Sequence, residues 1–216
     1  MKRLAAAALI MAACGAVLTS CTQNPTSPAT PSSIASPASG ADPFIQLVQD
    51  SQEAIFEPYA SPAAMLLQST VALHGKVASV QEGRGHDSGG LLTHHIMVGI
   101  QPDQFIKDDP SRKGDLVYFE LARPKSVAAT EFAKGLPLGT EVALFAYPWD
   151  DPGFKVLKPD AGHEPGGSVY APLVQGLWMA SDNGFRSVLT NAYVSDGEWA
   201  EAQSWEGLRA AALTSG

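Results

Sequence analysis

The side chains best suited to acid–base or metal chemistry are the five histidines, His74, His86, His94, His95 and His163. A metal site needs several ligands converging on one point. His94 and His95 are neighbours, and neighbouring residues of a strand face opposite ways, so without a bulge they cannot serve one ion. His94 shares its face with Leu92, Ile96, Val98 and Ile100, whereas His74 falls on the polar side of an earlier alternating stretch. His86-Asp87 and His163-Glu164 sit in glycine-rich stretches and lack the paired spacing of a zinc helix. No metal site and no cofactor is expected from this set. His94 is kept as a candidate binding residue and, in an enzymatic reading, as a base paired with Asp115 or Glu120.

Nucleophilic and phosphate chemistry find less support. Gly166-Gly167-Ser168-Val169-Tyr170 breaks the Gly-x-Ser-x-Gly elbow, and in Ser111-Arg112-Lys113 the lysine comes too early for Ser-x-x-Lys. Gly83-Arg84-Gly85-His86-Asp87 leads into a strand and supplies a carboxylate where a phosphate loop needs a lysine. Asp108-Asp109 and Asp150-Asp151 lie beside Pro and Gly, which is turn composition rather than the spacing of a calcium loop. Aromatic side chains offer the other route to a binding surface. Trp178, on a hairpin near Tyr170, is the candidate platform, because aromatic faces stack on sugars and similar ligands; core packing is the competing role.

These side chains must be held by ordered elements. Asp42 and Pro43 suit a helix start, and Phe44, Leu47, Val48, Ile55 and Phe56 recur at helical spacing until Pro58 and Pro62. Residues 70–80 alternate as a strand, with Val71, Leu73, Gly75 and Val77 on its apolar face. Residues 83–90 are rich in glycine, lack apolar side chains and read as a mobile loop. A second strand carries His94, a polar turn at 108–114 leads to a third at 115–121, and a short helix at 126–134 precedes a fourth at 141–147. Residues 168–174 and 176–181 read as extended, Asn183-Gly184 sets a tight hairpin into 185–193, and Ser204 caps a closing helix at 205–213. The pattern predicts a mainly β, β-rich α+β domain, a small antiparallel barrel or sandwich with short peripheral helices. The helix between the third and fourth strands makes the order similar to an oligonucleotide/oligosaccharide-binding (OB) barrel. Residues 72–147 loosely resemble the barrel of secreted netrin-like and protease-inhibitor modules, although this chain lacks their cysteine staples.

Ahead of the domain, Lys2 and Arg3 precede an apolar run at 4–18 that ends in Leu18-Thr19-Ser20-Cys21. Basic start, short apolar run and small residues form a secretory signal, and the run is shorter and richer in alanine than a membrane span of about 20 residues. Leu18-Thr19-Ser20-Cys21 resembles the lipobox of bacterial lipoproteins. The resemblance implies that the Cys21 thiol receives a diacylglycerol and that the chain is cut just before Cys21, with Met1 to Ser20 lost. Met11-Ala12-Ala13-Cys14 lacks the leucine three residues before its cysteine. With Cys14 removed and Cys21 acylated, no thiol is left for a disulfide or a nucleophile.

Residues 22–41 carry no charge and consist mainly of Ser, Thr, Ala and Pro, a composition that buries too little apolar area to offset the entropy of ordering. Extended, such a tether spans ~60 Å. The expected layout is a signal at 1–20, the lipidated cysteine and tether at 21–41, and a single β-rich domain at 42–216. The chain has 14 basic and 22 acidic residues, net −8; losing Lys2 and Arg3 leaves 12 against 22, or −10. That balance argues against nucleic acid as a partner. The expected protein is a lipid-anchored, extracytoplasmic domain at a bacterial cell membrane, without catalytic activity, binding an envelope protein or a small ligand. Its rivals are a hydrolase or other enzyme without a recognisable motif and a structural or assembly protein of the envelope, the last predicting an exposed apolar patch.

Overall fold

The computed structural model describes residues 41–51, 57–149, 152–181, 184–189 and 197–214. The signal, Cys21 and the tether up to residue 40 lie outside the described residues, as do Ile55, Phe56, Asp150-Asp151, Asn183 and 190–193 of the last expected strand. The elements are α1 (Ala41–Asp50), α2 (Pro62–Gln68), β1 (Val71–Ser88), β2 (Leu91–Lys107), β3 (Val117–Arg123), α3 (Ala129–Gly135), β4 (Glu141–Pro148), β5 (Lys155–Leu157), β6 (Val169–Ser181), β7 (Gly184–Ser187) and α4 (Trp205–Leu213). Five strands close into a ring in the order β1-β2-β3-β6-β4 and back to β1, with β5 added to β1 and β7 to β6. Ring neighbours are antiparallel except β3 and β6, which run parallel. The fold is therefore β-rich α+β, and α3 stands between the third and fourth ring strands, the feature shared with OB-type barrels.

One strand makes the closure possible. β1 pairs with β2 along its whole length, with β4 through Val71 to Lys76 and with β5 through Gly85 to Asp87. Its ladder with β2 slips at four places, between Ala72/Leu73, His74/Gly75, Val77/Ser79 and Glu82/Gly85. Each slip adds local twist and lets the strand bend around the ring. Gly75 sits where the bend brings backbones together: a Cβ there would press on the Gln101 carbonyl and lie 2.9 Å from Pro102 Cα.

Two expectations from the sequence change here. Residues 83–88 are strand, not mobile loop. The loop shrinks to Gly89 and Gly90, whose φ angles of 62° and 97° suit glycine, and the Gly90 amide donates to Asp87 Oδ1 at 2.7 Å. The stretch has no apolar alternation of its own because its neighbours on β2 and β5 supply the pairing. Likewise Pro62 begins α2 instead of ending a helix: Ser61 Oγ accepts from the Ala64 amide at 3.0 Å and caps it, leaving proline at a position that needs no N–H. α4 forms as expected, with Ser204 Oγ accepting from the Gly207 amide.

Three layers bury the sheet. Inside the ring, Val71 and Leu73 of β1, Val98 and Ile100 of β2, and Phe119, Leu144 and Leu177 pack with Phe44 of α1 and Phe132 of α3. Outside it, Ala72, Ala143, Phe145 and Trp178 meet Met65 of α2, Trp199, and Trp205 and Leu208 of α4. β1, β4 and β6 are thus apolar on both faces, which explains the unbroken run Val142 to Ala146. The third layer covers the outer face of β2 and β3, and there the charged residues gather.

Candidate functional site

Cross-strand partners share a face. Ile96 pairs with Leu121 and Met97 with Glu120, so Ile96 and Leu121 point into the ring while Met97 and Glu120 point out. Glu120 nevertheless has only 6% of its surface exposed, because residues 152–168 and the outer half of β1 lie over this face. Arg84 donates to both carboxylate oxygens, Nε to Oε1 at 2.7 Å and Nη2 to Oε2 at 2.8 Å. His86, 1% exposed, places Nε2 3.1 Å from Glu120 Oε2, at ion-pair distance but off the line of a hydrogen bond. Its ring is sandwiched between His95, centroids 4.2 Å apart, and Trp149, 5.1 Å away and stacked, with Phe154 at 6.1 Å. His95 Nδ1 lies 3.3 Å from the Arg84 carbonyl. The bulge between Glu82 and Gly85 is what brings Arg84 and His86 onto the same face as Glu120.

Electrostatics fix the protonation of two of these groups. Burial pushes the Glu120 carboxyl up, but the Arg84 and His86 contacts outweigh it and hold it down at about 2. Burial lowers His95 to about 4, against which the Glu120 charge acts only in part. At neutral pH the cluster is a fixed carboxylate clamped by a guanidinium beside a neutral imidazole. For His95 the pH consequence follows directly. The unfolded side chain takes up a proton near 6.5 and the folded one only near 4, so its contribution to stability is present above pH 6.5 and is lost as pH falls to 4. Unfolding titrations of His95→Gln should show a flatter acid limb in that window than the parent protein.

Asp109 forms a second buried network, which the sequence does not reveal. It is 6% exposed and accepts from the Ser111 amide at 2.8 Å, the Ser111 hydroxyl at 2.7 Å and the Tyr170 hydroxyl at 3.0 Å. Burial acts to raise its carboxyl, but these donors hold it below the usual range. Burial together with the Asp109 contact raises the Tyr170 hydroxyl.

The residues expected to bind a ligand are placed elsewhere. Tyr170 is fully buried in the ring core and held by Asp109. Trp178 is fully buried beneath the outer helices, stacked on Trp199 at 5.7 Å. Neither presents an aromatic face to solvent. His94 pairs across to Gly85 and Arg123 on the inward-pointing side, and its buried Nε2 has no hydrogen-bond partner among the described residues. It therefore cannot act with Glu120, which faces out from the neighbouring strand. Glu120 meets His86 and His95 instead. The signal in the sequence was the spacing Arg84, His86 behind Gly83 and Gly85, polar residues at every second position, which requires a partner strand before it has meaning. Among the described residues no three His, Cys, Asp or Glu side chains are disposed to hold a metal ion. No protein-family model, no curated protein and no solved structure matches the chain.

Proposed function

We propose that the chain is a lipid-anchored binding domain, carried on Cys21 at the extracytoplasmic face of a bacterial cell membrane and recognising another envelope component or a small ligand without turning it over. Three things support the anchor: the lipobox-like Leu18-Thr19-Ser20-Cys21, the uncharged tether behind it, and an acidic overall balance that disfavours attachment to anionic lipid by charge alone. Among the described residues no helix is long and apolar enough to cross a membrane.

The observation that favours binding over catalysis is the state of Glu120. A general base works best with a protonation midpoint near the working pH. Glu120 is held at about 2, both its oxygens are engaged, and it lies beneath other residues. Such a carboxylate is suited to fixing the shape of β1 and the segment above it.

Cys21→Ala tests the anchor. The variant is expected to leave the membrane fraction and to lose the acyl mass from its N-terminus, and a variant that stays on the membrane would sink the proposal. Turnover on panels of esters, peptides and glycosides tests the rest: robust turnover, lost on substituting one polar residue with the fold intact by circular dichroism, would replace binding by catalysis.

A further inference from the structure

Residues 152–168 form a strap seated closely on the outer face of β2 and β3. A Cβ on Gly162 would lie 2.6 Å from Met97 Cβ and 2.6 Å from the Glu82 carbonyl oxygen, and one on Gly167 would lie 3.3 Å from the Tyr118 ring. The strap turns through left-handed positions at Lys158, Gly162 and Gly166, with φ of 54°, 80° and 77°. Outside the short strand β5, its internal backbone bonds include Ala161 to Lys158 and Gly167 to Glu164. At its centre stands His163, with its ring 5.6 Å from that of Tyr118.

Both ring nitrogens of His163 face carbonyl oxygens: Nδ1 is 2.8 Å from Glu164 O and Nε2 is 2.8 Å from Pro159 O. A carbonyl oxygen only accepts, and a neutral imidazole has a single N–H. In the neutral form one nitrogen lone pair would confront a carbonyl lone pair at hydrogen-bond distance. Only the imidazolium satisfies both contacts.

We propose that His163 is a proton-operated clasp: its charged form ties Pro159 to Glu164 and holds the strap in the shape that seats on Met97 and Tyr118, and loss of the proton releases one bond and loosens the cover. The charges around it are consistent with a cation. Within the strap Lys158 and Asp160 flank it, and the Glu164 carboxylate lies against Gly114, between Lys113 and Asp115 of the turn before β3. From β1, Glu82 is paired with Arg123; from β3, Glu120 is paired with Arg84. The direction is fixed by donor count: the strap is held where the ring carries both N–H groups and loosens where it carries one.

Hydrogen exchange read by mass spectrometry on the full mature chain in detergent, at pH 5 and pH 8 and corrected for the intrinsic rate, tests this. Peptides from 152–168 are expected to exchange about fivefold faster at pH 8 than at pH 5, the effect of one net hydrogen bond, while peptides from the centre of β2 do not change. In His163→Leu, whose side chain donates to neither carbonyl, the strap should exchange at the faster rate at both pH values. Equal protection of the wild-type strap at the two pH values overturns the clasp, and so does an undiminished pH dependence in His163→Leu. Neither result depends on the lipid anchor or on the ligand.

Discussion

Glu120→Gln is expected to lower the unfolding free energy by about 3 to 5 kcal/mol, measured by denaturant titration, because it strands the Arg84 guanidinium beneath other residues without a counter-charge. Arg84 has only 11% of its side chain exposed and Glu120 only 4%, so water cannot take over the lost contact. The cost belongs to the broken pair rather than to the pair itself. Replacing both partners, Arg84→Met with Glu120→Leu, removes the orphaned charge and is expected to recover most of the loss. Equal losses in the single and double variants would show that the pair is not what matters there.

The same residue sets an acid limb. An unfolded glutamate takes up its proton near 4.5, the folded one only near 2. Above pH 4.5 both states are ionised and the full contribution of Glu120 is present. As pH falls from 4.5 towards 2 the unfolded state gains a proton that the folded state refuses, and the contribution disappears. Glu120→Gln should therefore be most damaging at neutral pH and progressively less so in that window. The window overlaps that of His95 only between about 4 and 4.5, which allows the two to be separated in one titration.

Trp178→Ala is expected to cost about 3 to 5 kcal/mol, the range for removing a large aromatic side chain from a packed core. Trp178 is fully buried among Phe145, Phe185 and Trp199 beneath α2 and α4. A tryptophan serving as an exposed platform would tolerate the change within about 0.5 kcal/mol. Thermal or chemical unfolding thus distinguishes the two roles of one residue, and a near-neutral result would return Trp178 to the surface.

Local signals carried much of the architecture. Alternation in 70–80 and around His94, and Ser204 ahead of the closing helix, correspond to elements found at those places, since each is decided by neighbours within a few residues. Arg84 and His86 were legible only as polar residues among glycines. Their conformation comes from β2 and β5 on either side, and neither strand is visible from residues 83–90 alone. Asp109 looked like an ordinary turn acid because its partner Tyr170 is 61 residues away.

What the sequence determined by itself is the acidic balance, the β-rich class and the place of most strands and of the closing helix, and it is the sole basis of the anchor proposed on Leu18-Thr19-Ser20-Cys21. These depend on composition and short spacing, which need no fold to be read. Tertiary structure decided which faces of the strands are buried and hence which charges meet. Strand alternation put Glu120 and His94 on opposite sides of neighbouring strands, the bulge at Glu82/Gly85 turned Arg84 and His86 towards Glu120, and closure of the ring left β2 and β3 with an outer face that residues 152–168 and the outer half of β1 cover. Pairing between distant strands sets these relations, and no local pattern encodes a register.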